Sequence, residues 1–275
     1  MEATCDVCFH HCKLKNGARG LCRARKNENG KIICENYGRI TSMALDPIEK
    51  KPLKMFCRGS KILSVGSYGC NLRCPFCQNH EISMAGQEDI GTRYISPKEL
   101  VNEALYYEKI GNIGIAFTYN EPLISWEYVL DTSRLLHEQN MKSVLVTNGT
   151  VSLPVMETLL PYIDAMNIDL KGFRDEYYGK LGGSLDAVKD VIQCAAAACH
   201  VELTTLIVSN ENDALGEMEE EAKWIASVSD SIPLHVTRFF PNYHMQDRGA
   251  TDVKRVYELK AVAERYLKNV FVGNC

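Results

Sequence analysis

A chain of 275 residues that is 45% hydrophobic and 24% charged can bury a sizeable core, and it suits one barrel-type domain as well as two ordinary ones. Its net charge of -4 gives no bulk electrostatic reason to expect nucleic acid as a partner. The N-terminus MEATCDVCFHHCK has no apolar signal-type segment, and no run approaches the roughly 20 apolar residues of a membrane span. These features lead to the expectation of a soluble cytoplasmic protein without a membrane partner.

Residues 1–58 are rich in cysteine, lysine and arginine, with only short strand-like pieces such as GKIICENYG. They are expected to form a cysteine-rich metal-binding region separate from a barrel domain over 59–275. Cys5, Cys8, Cys12 and Cys22 supply four thiols within 18 residues, and Gly17 and Gly20 give the chain freedom to fold the last back onto the others. So little apolar content can scarcely form a core, so a metal would be the main source of order. Four thiolates suit structural zinc or a second iron–sulfur cluster, with the tight spacing favouring zinc and His10 or His11 able to replace one thiolate; unliganded thiols on a flexible arm are the alternative.

After about residue 60, strand and helix signals alternate. KILSVGSY (61–68), NIGIAFTY (112–119), SVLVTNG (143–149), AMNIDLK (165–171), HVELTTLIV (200–208) and PLHVTRF (233–239) are mostly short apolar runs, as expected of parallel strands covered on both faces. Ser96-Pro97-Lys98-Glu99 predicts a helix start with a capping box and proline at the first helical position. Ser184 precedes Leu185, Val188 and Ile192, which share a helical face. Six strand–helix units in series imply an α/β fold, a partial (β/α)6-type TIM-like barrel of parallel strands.

Twelve cysteines in a chain expected in the cytosol are better explained by metal binding than by disulfides. Cys34, Cys57, Cys194, Cys199 and Cys275 are scattered and read as small hydrophobes or bystanders. Cys70, Cys74 and Cys77, in SYGCNLRCPFCQN, directly follow the first barrel strand, at the strand ends where barrels place their chemistry. Three thiolates can hold three irons of a [4Fe-4S] cluster and leave the fourth open to a small molecule. The alternative is a zinc completed by a distant ligand or by His80.

The CxxxCxxC spacing with Phe76 before the last cysteine resembles the signature of the radical S-adenosylmethionine enzymes. FTYNEP, VTNG, NIDLKGF and RFFPNYH, at the ends of later strands, resemble further segments of that family. By resemblance, Phe76, Asn120, Glu121, Thr147, Asp169, Lys171 and His244 are expected to contact S-adenosylmethionine: Asn120 and Glu121 its amino group, Thr147, Asp169 and Lys171 its carboxylate, His244 its ribose. Tyr119 and Asn120 stand where the family has two glycines. CDVCFHHCKLKNGARGLCRARKNENGKI, GCNLRCPFCQNHEIS and PLHVTRFFPNY carry the resemblance over nearly the whole chain, to the AmmeMemoRadiSam group and to pyruvate formate-lyase activating enzyme. Longer members of that group continue beyond VGNC with another cysteine-containing tail, so a chain ending at Cys275 is expected to be a short member or part of a longer one.

The resemblance implies an oxygen-sensitive oxidoreductase. An external one-electron donor of flavodoxin or ferredoxin type reduces the cluster, S-adenosylmethionine is cleaved to a 5'-deoxyadenosyl radical, and the radical takes hydrogen from a substrate, by analogy with the activases a partner protein. Radical modification of a small molecule or RNA is the other enzymatic reading, and a non-catalytic iron–sulfur or zinc protein the reading from another class. No side chain beyond the cluster ligands needs a catalytic role. His10, His11, His80, His137, His200 and His235 show no convergence and read as surface or packing residues.

Overall fold

The computed structural model describes residues 1–275. Its main sheet has eight strands: β1 (Ser42–Pro47), β2 (Lys61–Gly66), β3 (Asn112–Phe117), β4 (Lys142–Thr147), β5 (Ala165–Asp169), β6 (His200–Ile207), β7 (Leu234–Arg238) and β8 (Val270–Gly273). They lie side by side in chain order; β1 is antiparallel to β2 and every other pairing is parallel. A parallel sheet whose order never reverses curls in one sense toward a barrel. Here β1 and β8 do not pair, so the barrel is partial.

The six expected parallel strands all form, and two edge strands join them. VFVG forms a seventh parallel strand beside β7. SMALDP forms β1, so the sheet starts before residue 59 and the expected boundary there cuts through it. β1 is half-exposed, short and closed by proline, the pattern of an edge strand with little periodic signal.

Side chains alternate across the sheet. Leu145, Met166, Leu203 and Val236 pack outward against Val188, Ile192, Ile225 and Leu259 of the helices. Val144, Ala165, Ala116 and Ile62 face the barrel axis, where Ile48 and Leu53 close the N-terminal end. Helix α1 (Pro97–Tyr106) begins with the expected capping box of Ser96 and Glu99. Helices α2 (Trp126–Glu138), α3 (Leu153–Leu159), α4 (Leu185–Ala196), α5 (Leu215–Ser229) and α6 (Val253–Ala263) follow, and Ser184 caps α4 through Ala187 N–H. No helix is long and apolar enough to cross a membrane.

Residues 1–40 form small ladders, Ala3–Thr4 with Lys13–Leu14 and Arg25–Glu28 with Lys31–Cys34. Buried Arg25 ties them to the barrel, donating to Ile124 O (2.7 Å) and to both Glu127 oxygens (2.6 Å each). Ser152 N–H donates to Val7 O (2.9 Å) and its hydroxyl to Asp6 O (2.8 Å), so the N-terminal region also sits on the loop after β4.

Glu221 of α5 is buried, with only the Thr205 hydroxyl (2.5 Å) as partner, and burial pushes its carboxyl up to about 8. A folded-state pKa above the unfolded value contributes stability at low pH that is lost as pH rises from about 4.5 through about 8. Thermal unfolding of Glu221→Gln is expected to flatten that loss across the window, by on the order of a few kcal/mol; parallel wild-type and variant curves would refute the assignment.

Candidate cluster and cofactor site

The loop after β2 is built on a close backbone approach. Gly69 has φ +86°, and a Cβ there would lie 2.4 Å from Cys22 O, so only glycine fits. The Asn120 side chain pins the same loop, accepting from Ser67 N–H (2.9 Å) and donating to Tyr68 O (3.2 Å) and Gly69 O (3.1 Å). Arg73 donates to Cys70 O (2.8 Å), to Leu72 O (2.9 Å) and to Leu21 O. Cys70, Cys74 and Cys77 thereby open onto one cavity of about 640 Å³. Leu72, Cys74, Phe76, Tyr177, Leu181, Val208, Phe239 and Met245 form an apolar shell beside it.

Three thiols at the mouth of one cavity fit a [4Fe-4S] cluster, which takes one iron per thiolate and leaves the fourth iron open. Cys70 Sγ accepts from Leu72 N–H (3.4 Å) and lies 3.7 Å from the Asn148 amide nitrogen. The Tyr177 hydroxyl, in the same shell as Cys74, is buried without a partner, as suits a site that supplies an additional acceptor. Burial pushes the Cys74 thiol up to about 11, with Lys171 pulling the other way, so metal binding must displace protons.

The expected cofactor residues divide into two groups. Phe76, Thr147, Asn120, Glu121, Asp169 and Lys171 all line the cavity. Lys171 Nζ is 2.8 Å from Asp169 Oδ2; burial alone would lower the ammonium pKa, but Asp169 and a Cys74 thiolate outweigh it and hold it raised. Glu121 is already engaged: it accepts from the Thr147 hydroxyl (2.6 Å), Asn148 N–H (2.8 Å) and Leu123 N–H (3.0 Å). Burial pushes its carboxyl up to about 7 against those bonds. Glu121, Thr147 and the Asn120 side chain thus hold the site together. His244 is a correction: it is exposed and does not line the cavity, and its contact with the cluster loop is its backbone N–H on Pro75 O (2.8 Å).

Tyr119 adopts φ +71°, the conformation the family's glycine would supply without strain. Its hydroxyl donates to Asp46 Oδ2 (3.1 Å) and Lys51 lies 4.8 Å from its ring centroid, contacts that hold the strained residue. His235, expected as a surface or packing residue, is buried and also lines the cavity, with Nε2 2.6 Å from Glu202 Oε2. Burial would raise Glu202, but His200, His235 and the N–H groups of Met55 and Lys54 hold it at about 2. Alternation along β7 was the signal for His235. Asn71 and Asn148 had none beyond turn propensity, yet Asn148 Nδ2 donates to Asn71 Oδ1 (2.9 Å) beside Cys70.

A partial parallel barrel with a three-cysteine loop after its first parallel strand defines an iron–sulfur barrel enzyme. Residues 64–225 match the radical SAM superfamily, and the chain belongs to it; its members use a [4Fe-4S] cluster and S-adenosylmethionine. An uncharacterized protein of Methanocaldococcus jannaschii is 36% identical over 99% of this chain and 81% of its own length. The pyruvate formate-lyase-activating enzyme of Clostridium pasteurianum is 27% identical over 74% of this chain and 88% of its own. In fold, a radical SAM methyltransferase from Sphaerobacter thermophilus matches with TM-score 0.60 at 17% identity, covering 79% of this chain and 67% of that one.

Glu121→Ala is expected to destabilise the metal-free protein by about 2–4 kcal/mol in denaturant unfolding, because it orphans buried donors; unchanged stability would return Glu121 to a purely cofactor-binding role. Tyr177→Phe should lower the cluster's midpoint potential by on the order of tens of millivolts in a redox titration, having removed a hydrogen-bond donor. An unmoved potential would show that the hydroxyl does not reach the cluster.

Proposed function

We propose that the chain binds a [4Fe-4S] cluster through Cys70, Cys74 and Cys77 and uses it with S-adenosylmethionine to abstract hydrogen from a partner protein. The observation that carries this reading is the convergence of those three thiols with the Asp169–Lys171 pair on one cavity. Held by Cys70, Cys74 and Cys77, a cluster would supply the single electron that cleaves the sulfonium's carbon–sulfur bond to methionine and a 5'-deoxyadenosyl radical.

The chain's own residues bind, orient and shield. Three cysteines leave one iron open, and Lys171, kept charged and directed by Asp169, offers its ammonium to the cofactor's carboxylate. Phe76 and the apolar shell around Cys74 keep water from that side. The cavity runs from this end to Glu49, Lys50 and Lys54 on one side and Val272, Gly273 and Asn274 on the other, which is the gap between unpaired β1 and β8. A lateral gap admits an extended segment of another chain, and the similarity to an activating enzyme over most of both lengths supports a protein substrate. The electron comes from an external one-electron donor of flavodoxin or ferredoxin type.

Anaerobic wild-type protein with dithionite is expected to convert S-adenosylmethionine to 5'-deoxyadenosine, and Lys171→Ala or Asp169→Ala to weaken cofactor binding by about 10–100-fold with the cluster retained. Wild-type affinity in both variants by calorimetry would overturn the carboxylate assignment. Deuterium arriving in 5'-deoxyadenosine from a labelled partner protein would identify the hydrogen donor; deuterium only from labelled small molecules would exclude the protein-substrate reading.

A further inference from the structure

Outside the Cys70 loop the densest collection of metal-binding groups is the N-terminal one. Cys5, Cys8, Cys12 and Cys22 line a single small cavity with His10, Arg25 and Asn71, and all four are free. Cys5, Cys8 and Cys22 are buried and Cys12 is half-buried. The backbone is bent to this arrangement: His11, before Cys12, has φ 41° and Arg23, after Cys22, φ 62°, left-handed conformations that a non-glycine residue keeps only where surrounding structure enforces them. Cys5 N–H donates to Cys12 O (3.0 Å), closing the loop.

Four thiolates suit zinc or an iron–sulfur cluster alike, and what points to a cluster is the wall this site shares with the Cys70 loop, a contact that a redox-active group can use and zinc cannot. The inner wall of the N-terminal cavity is the catalytic loop itself. Asn71, the residue after Cys70, lines it, and its backbone O accepts from His10 Nε2 (2.8 Å). The Asn71 side-chain oxygen also accepts from Asn148, whose nitrogen is 3.7 Å from Cys70 Sγ. Cys22 O packs on Gly69. One peptide unit and one pair of amides therefore join the two sets of thiols.

The outer wall faces solvent. Beyond Cys12 stand exposed Lys13 and Lys15, which form no ion pair, and Leu21, 53% exposed. Residues 1–40 hold eight lysine and arginine residues against four aspartate and glutamate, in a chain whose totals are 31 and 35. This end therefore offers an acidic donor a basic surface on an otherwise acidic protein.

We propose that Cys5, Cys8, Cys12 and Cys22 hold a second [4Fe-4S] cluster, the entry port that takes one electron from an acidic protein donor and passes it to the cluster on Cys70, Cys74 and Cys77. The donor is oxidised by one electron, the N-terminal cluster is reduced and reoxidised, and the catalytic cluster is reduced. The relay rests on the radical SAM reading of the Cys70 site; the metal site does not.

The full chain, reconstituted anaerobically with iron and sulfide, tests this. The variant with Cys70, Cys74 and Cys77 all changed to alanine is expected to keep about four iron and four sulfide per chain, against about eight of each in wild type, and a dithionite-reducible paramagnetic resonance signal. Zinc in place of iron, or no metal, overturns the proposal. Fully reduced wild type should show a spectrum broadened by coupling between two neighbouring spins; a plain sum of two isolated signals rules out the relay. Lys13→Glu/Lys15→Glu should keep its iron and its reduction rate by dithionite but be reduced by flavodoxin hydroquinone roughly tenfold more slowly; equal rates refute the entry port. Iron retained in the triple variant beside a wild type that does not cleave S-adenosylmethionine would sink the proposed function and leave the second site standing.

Discussion

The contact between Gly69 and Cys22 O is the constraint on which the rest of the structure depends. It joins the loop carrying Cys70, Cys74 and Cys77 to a region with almost no core of its own, at a separation no Cβ would tolerate. Because the approach is backbone on backbone, neither segment can relax by changing a rotamer. The Arg73 bond to Leu21 O and the Asn71 bond to His10 extend the same seam, and Arg25 anchors its far side on α2. The N-terminal region thus backs the loop that carries Cys70, Cys74 and Cys77, and the placement of one cysteine set constrains the other.

A buried polar network does comparable work on the barrel side. Glu121 gathers donors from the turn after β3 and the turn after β4, and Asn120 ties the first of these to the cysteine loop. Charged and polar groups in so enclosed a place are favourable only when every partner is present. The same bonds that order the loops therefore leave Glu121 and Asn120 little capacity for a ligand. The Asp169–Lys171 pair is less buried, and its charges are matched to each other but not fully enclosed.

The open seam between β1 and β8 gives the molecule a direction. The apolar plug of Ile48, Leu53 and Val144 seals the N-terminal end of the barrel, so the cavity communicates with solvent at the strand tops and along that seam.

What the sequence determined by itself was periodic or spaced at short range: six parallel strands from apolar runs, the caps at Ser96 and Ser184, the CxxxCxxC loop at a strand end, and the superfamily that loop identifies. Short-range patterns are legible because strand pleat, helix start and metal spacing are local properties of the chain. Edge strands β1 and β8 were not, since a half-exposed four- to six-residue piece has no clear period. Tertiary structure alone decided which candidate side chains were free to act. NEP and VTN look alike as turns, and only their meeting shows that Glu121 and Thr147 bond each other. FFPNYH does not reveal which way His244 faces, and PLHVTRF does not reveal that Glu202, 33 residues earlier, buries His235 in the cavity wall. Those outcomes depend on partners distant in sequence, and burial and hydrogen-bond satisfaction exist only once the partners have met.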